Sequence, residues 1–118
     1  MANILNCAEI LTIENIMKSD EDFRRVLSTV ADITEVEASE VFSGKKNPEL
    51  TDARWIVVQL LSEIGYYSGR ICALTGLSTR SVTRILTEID SRQGAGWKML
   101  RRNLADCRLA LGLSSDSL

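Results

Sequence analysis

The sequence predicts an all-α fold, a compact multi-helix domain containing a helix-turn-helix. Three observations carry this. Apolar residues recur at spacings of three and four along most of the chain. No segment keeps a two-residue alternation bounded by turn residues. Short stretches bearing glycine or proline separate the helical runs. At 118 residues, 45% of them apolar, the chain is long enough for one domain with a real core and too short for two of ordinary size.

Taken in order, Ile4, Ala8, Leu11 and Ile16 or Met17 form a stripe on a first helix. Ser19 followed by Asp20, Glu21 and Asp22 reads as the cap and acidic first turn of a second, which buries Phe23, Val26, Leu27 and Val30. A short helical turn over EASEVF follows, and SGKKNP breaks the chain. A long helix capped by Asn47 or Thr51 then turns Trp55, Val58, Leu61 and Ile64 inward, and Gly65 ends it. After two further helices and the break Gly94–Gly96, a last helix carries Trp97, Leu100, Leu104, Cys107 and Leu111 as core or as a dimer seam. The expected organisation is an N-terminal helical extension over 1–19, the main domain over 20–112 and a frayed tail over 113–118.

The composition narrows the function classes. The net charge is −2, but residues 1–42 hold three Lys/Arg against nine Asp/Glu, whereas residues 43–112 hold eleven against six. A basic C-terminal half suits nucleic acid; an ordinary mixed surface accounts for the same numbers. No apolar run approaches a bilayer-spanning length and the N-terminus lacks a basic lead-in, so neither a membrane partner nor a signal peptide is expected. Cys7, Cys72 and Cys107 are odd in number and widely spaced, which suits buried free thiols in a reducing cytoplasm. The chain has no histidine, no nucleophile elbow and no Gly-rich phosphate cradle, so no catalysis, cofactor, metal or small-molecule substrate is expected. The acids at 20–22 are consecutive and splay around a helix, which suits a helix start better than a metal site.

The stretch SGRICALTGLSTRSVTRIL, residues 68–86, is the most informative. It reads as a short helix from Ser68 to Thr75, a turn Gly76–Leu77–Ser78 and a second helix from Thr79 to about Asp90. Cys72 is small where the second helix passes over it, Gly76 can take the left-handed backbone, Leu77 plugs the gap and Ser78 caps. Val82, Ile85, Leu86 and Ile89 face inward, opposite Ile71 and Leu74. Thr75 stands where an apolar residue is more usual, with Leu74 expected to cover it. Outward lie Thr79, Arg80, Thr83, Arg84 and Thr87, with no acid among them. In a major groove, Arg80 would pair with guanine, and Thr79 or Thr83 would meet a thymine methyl or a phosphate. Arg84 would read a base or hold a phosphate, and Lys45 and Lys46, in a loop before a helix, are placed to meet phosphate. Lys98, Arg101, Arg102 and Arg108 read first as a solvated helix face, Trp55 and Trp97 as core anchors, and Tyr66 and Tyr67 as one inner and one outer aromatic.

From about Phe23 to Leu111 the order of pieces resembles the C-terminal DNA-binding domain of the bacterial replication initiator DnaA, a TrpR-like fold. EASEVFSGKKNPEL resembles its basic-loop element, ARWIVVQLLSEI its long helix opening on an arginine, YYSGRICALTGLSTRSVTRILTEI its helix-turn-helix and WKMLRRNLADCRLAL its closing helix. The resemblance implies double-stranded DNA as partner, Thr79, Arg80 and Thr83 as base readers, and Lys45, Lys46 and Arg54 as backbone or minor-groove contacts; by their own positions Arg84 joins the base readers and Ser78 the backbone contacts. The family's recognition helix opens with an acid and a histidine; here Ser78 and Thr79 occupy those places and Arg80 follows, so the initiator's own box is not the expected target. The absence of a GxxxxGK[ST] loop removes the initiator's ATPase. A homodimer would strengthen the grip of so small a module. The alternative is a protein-docking helical module that binds no DNA.

Overall fold

The computed structural model describes the backbone of residues 7–89, 91 and 95–113, with side chains from residue 21 onward except for 95–97. Among the described residues there are five α-helices and one 3-10 turn, with no strand. They are α1 (Cys7–Thr34), the 3-10 turn Ala38–Glu40, α2 (Pro48–Ile64), α3 (Ser68–Thr75), α4 (Thr79–Glu88) and α5 (Ala95–Leu111). The side chains of the stripe Ile4, Ala8, Leu11, Ile16 and Met17 and of Trp97, together with Gly94 and the tail beyond Leu113, lie outside what is described; Gly96, expected in the break, lies inside α5.

α1 departs from expectation. Ser19 does not start a helix, because α1 runs unbroken through it for 28 residues, about 42 Å at the ordinary helical rise. No glycine or proline occurs between residues 7 and 34, so nothing in the backbone stops a helix there. The expected inner face of this part is present: Val26, Val30 and Ala31 are buried, with Phe23 and Leu27 packed beside them. α1 ends on Glu35, whose φ of 60° is left-handed, while the Val36 N–H reaches back to the Ala31 carbonyl. Glycine usually fills that place, since a Cβ is strained there.

α2 is the centre of the molecule. Asn47 caps it, its Oδ1 accepting from the N–H groups of Glu49 (2.9 Å) and Leu50 (3.4 Å). Pro48 stands at the first helical position, where no N–H is needed. The expected Trp55, Val58 and Leu61 are buried, but so are Leu50, Ala53, Ile56, Val57 and Leu60. α2 touches α1, α3, α4 and α5, so apolar groups nearly all round it are needed. Gly65 closes it, its N–H bonded to the Leu61 and Ser62 carbonyls.

α5 lays Leu100, Leu104, Cys107 and Leu111 into the same core as α1 and α2. For these four the dimer-seam reading therefore gives way to core. Cys107 is buried, and burial first, then the neighbouring Asp106 charge, pushes its thiol up to about 11. It stays protonated at neutral pH and acts as an apolar filler. Cys72, expected buried, is only half-buried, and both thiols are free. Arg108, expected on a solvated face, instead ties α5 to α2. Its Nε donates to Glu63 Oε1 at 2.9 Å and Oε2 at 3.1 Å, and its Nη2 donates to Oε2 as well.

Two predictions follow from these contacts. Burial alone would raise the Glu63 carboxyl, but hydrogen bonds from Arg108 and Gln59 and the Arg108 charge outweigh it and leave the carboxyl below its ordinary value of 4.5. The tie therefore stabilises fully above that value and is lost as pH falls through the lowered folded one. Arg108→Ala should cost about 0.5–1 kcal/mol at pH 7 and progressively less as pH falls below the ordinary value of 4.5, read from urea melts at a series of pH values. Glu35→Gly should raise stability by roughly 0.5–1 kcal/mol in the same melts, because glycine accepts the left-handed backbone without strain.

Candidate nucleic-acid interface

α3 and α4 pack on each other, and both pack on α2. Ile71, Val82, Ile85 and Ile89 are buried, with Leu77 and Leu86 packed partly against the same core. The turn between the helices is set by three residues. Gly76 closes α3 in the left-handed region at φ 80°, which a side chain rarely adopts. Ser78 caps α4, its hydroxyl accepting from the Ser81 N–H at 3.1 Å. Thr75 is the departure. It is buried, and Leu74 does not have to cover it, because its hydroxyl donates to the Ile71 carbonyl (2.7 Å) and accepts from the Leu77 N–H (3.2 Å). One hydroxyl thus satisfies a turn amide and occupies its own hydrogen.

Burying that face of α4 turns the other outward. Thr79, Arg80, Thr83, Arg84 and Thr87 are all exposed. Arg80 makes no ion pair among the described residues. Arg84 lies 3.6 Å from Glu88 one turn later, an exposed pair with the cation on the N-terminal side, the weaker orientation. Thr79 sits at the start of α4, its hydroxyl 3.8 Å from the Cys72 sulfur, which fits a small residue where the helices approach. The hydroxyl of Ser78 also donates to Ser81 Oγ at 3.1 Å, so Ser78 belongs to the helix cap as well as to the surface.

The second group lies before α2. Lys45 and Lys46 are exposed in the loop between the 3-10 turn and Asn47. Gly44, at φ 90°, bends it. Lys45 Nζ pairs with Glu40 Oε2 at 2.7 Å, whereas Lys46 makes no ion pair among the described residues. Arg54 is half-buried, its Nε donating to the Val41 carbonyl at 2.8 Å and its Nη2 to the Lys45 carbonyl at 3.3 Å. Acids stand near. Asp52 follows on α2, its carboxyl raised by burial and by the Glu49 charge. A groove behind the loop is lined by Glu35, Glu37, Glu40 and Glu49 with Val36 and Leu50. The structure thus assembles the α4 residues on one face and holds Lys45, Lys46 and Arg54 together in one loop and helix start.

Of the two tyrosines, Tyr66 is partly buried, with its hydroxyl 3.5 Å from Asp22 on α1, and Tyr67 is 70% exposed. Lys98, Arg101 and Arg102 are exposed on α5. Among the described residues no group of three or more His, Cys, Asp or Glu side chains is placed to hold a metal, and no helix is long and apolar enough to cross a membrane. The fold and the surface define a small all-helical protein that presents a short helix rich in threonine and arginine. No protein-family model matches the chain, and neither a curated protein nor a solved structure matches it.

Because Thr75 supports the turn that aims α4, Thr75→Val should cost about 1–3 kcal/mol by orphaning the Leu77 amide. A denaturant melt reads the loss, and faster hydrogen exchange at Leu77 locates it.

Proposed function

We propose that this protein binds double-stranded DNA sequence-specifically, presenting α3, the turn and α4 as a helix-turn-helix, and serves as a DnaA-like regulator of replication or transcription. One observation carries the reading. The first two and a half turns of α4 expose two arginines and three threonines and no acid. Cations and hydroxyls at the N-terminal half of a helix suit base edges and phosphates, and an acid-free stretch avoids repulsion from the duplex. In this reading Arg80 takes a guanine, Thr79 and Thr83 meet a thymine methyl or a phosphate, and Arg84 exchanges its loose tie to Glu88 for DNA. Glu88 lies late in α4, where a recognition helix leaves the groove. The order of basic loop, long helix, helix pair and closing helix supports the likeness to the DnaA domain.

A specific observation favours a second reading as well. The groove lined by Glu35, Glu37, Glu40 and Glu49 gives the acidic half of the chain a concave surface, which suits the docking of a basic protein segment. A complex of that kind survives the loss of Arg80 and Arg84; a DNA complex does not.

Selection of bound duplexes from a random pool tests the first reading. Enrichment of a defined motif is the expected result; no binding to mixed-sequence duplex at low salt ends it. Arg80→Ala should weaken the selected site by about 1–3 kcal/mol and relax preference at one base pair, as read by titration against single-base variants of that site.

A further inference from the structure

The loop that carries Lys45 and Lys46 is held from behind. Val41 is fully buried and anchors one end, and the Asn47 cap fixes the other. Between them, Ser43 Oγ donates to the Glu40 carbonyl at 2.8 Å, and the Ser43 N–H bonds the same carbonyl at 3.1 Å. Arg54 spans the gap. From α2 it donates to carbonyls thirteen and nine residues upstream, at the two sides of the Gly44 bend. The planar guanidinium presents donors in a fixed fork that spans two separate carbonyls; an ammonium carries three donors on one nitrogen and lacks that fixed spread. Two of the three nitrogens of Arg54 are thereby engaged within the protein. Lys45 is tied to Glu40. Lys46 is exposed at the end of the braced segment, with no ion pair among the described residues.

We infer that Arg54 is a positioning residue, which braces the 41–46 loop so that Lys46, and not Arg54 itself, meets a DNA phosphate. This rests on the DNA-binding reading and divides the labour within it. A backbone held in place before binding presents its cation with less ordering to be done on association. Without the brace, the loop around Gly44 would sample many conformations and Lys46 would meet phosphate only in some.

The test compares the full chain with Lys46→Ala, Arg54→Met, Arg54→Lys and the double variant Lys46→Ala/Arg54→Met. Each is titrated with mixed-sequence duplex DNA over a range of salt, after a thermal melt has confirmed folding. Lys46→Ala and Arg54→Met should each weaken binding roughly tenfold and lower the log–log salt slope by about 0.9, the value for one phosphate. The double variant should be no worse than either. Arg54→Lys keeps the charge and should not rescue. In the absence of DNA, amide exchange at Ser43 and Lys45 should speed up in both Arg54 variants. Additive losses, a further fall of about 0.9 in slope in the double variant, or rescue by lysine would make Arg54 a direct contact and overturn the inference. Unchanged exchange would overturn the brace, and unchanged binding in the Lys46 variant would remove its target. If the unaltered chain fails to bind duplex, the DNA reading itself falls and takes this inference with it; losses confined to the variants cannot be confused with that result.

Discussion

The burial of α2 on nearly all sides is the constraint from which the rest of the molecule follows. Eight of its residues are out of solvent, and four other helices lie against it. Each outer helix therefore needs only one apolar face, and each is left with an opposite face that packing does not specify. The energy is concentrated there: removing a large aliphatic side chain from such a site typically costs 2–5 kcal/mol, far more than any surface ion pair in the molecule. The cross-chain ties are of a lesser order. Arg108 to Glu63 and Phe23 to Phe42, the latter with ring centroids 6.2 Å apart and tilted by 38°, fix how the outer pieces sit on the centre rather than whether the centre forms.

The exposed side of α4 is a consequence of that arrangement. Val82, Ile85 and Ile89 are buried in the common core, and helical geometry then leaves Thr79, Arg80, Thr83 and Arg84 no direction but outward. The turn fixes the angle of presentation through groups that cannot easily move: a left-handed glycine, a serine cap and a threonine bonded on both sides. Rigid elements make better readers than loops because geometry is set before contact. α4 is accordingly a stiffer platform than the lysine loop, where one cation is already paired and the arginine faces the backbone.

Local rules made much of this legible in the sequence. Asn47, Gly65, Gly76 and Ser78 stop or start helices because each satisfies orphan backbone groups within a few residues of itself, so spacing alone reveals them. What local spacing does not reveal depends on distance or on context. The outer faces of α2 exceed the expected stripe, because a single inward stripe is the usual pattern and a helix with neighbours all round breaks it. The run from Ile56 to Leu61, interrupted only by Gln59, carried that signal. A serine followed by acids caps well, which favours a helix start at Ser19, yet the same residues fit a continuing helix when no breaker intervenes. The bonds that Arg54 and Arg108 make within the protein are not legible in the sequence, since their acceptors lie 9, 13 and 45 positions away and only the fold brings them near. Thr75 is a misfit by residue type alone and fits through the backbone atoms of Ile71 and Leu77.

The unbroken course of α1 gives Ser19 and its acids a latent character. In the intact chain the amides after Ser19 belong to a helix already under way. Were the chain cut just ahead of that serine, the new end would expose those amides, and a hydroxyl and three carboxylates would stand ready beside them. The shortened helix would thus inherit a competent beginning in place of a ragged one, and the anchoring valines at 26 and 30 would keep their register on the centre. A sequence element that does nothing for initiation in the whole molecule becomes the safeguard of the trimmed one.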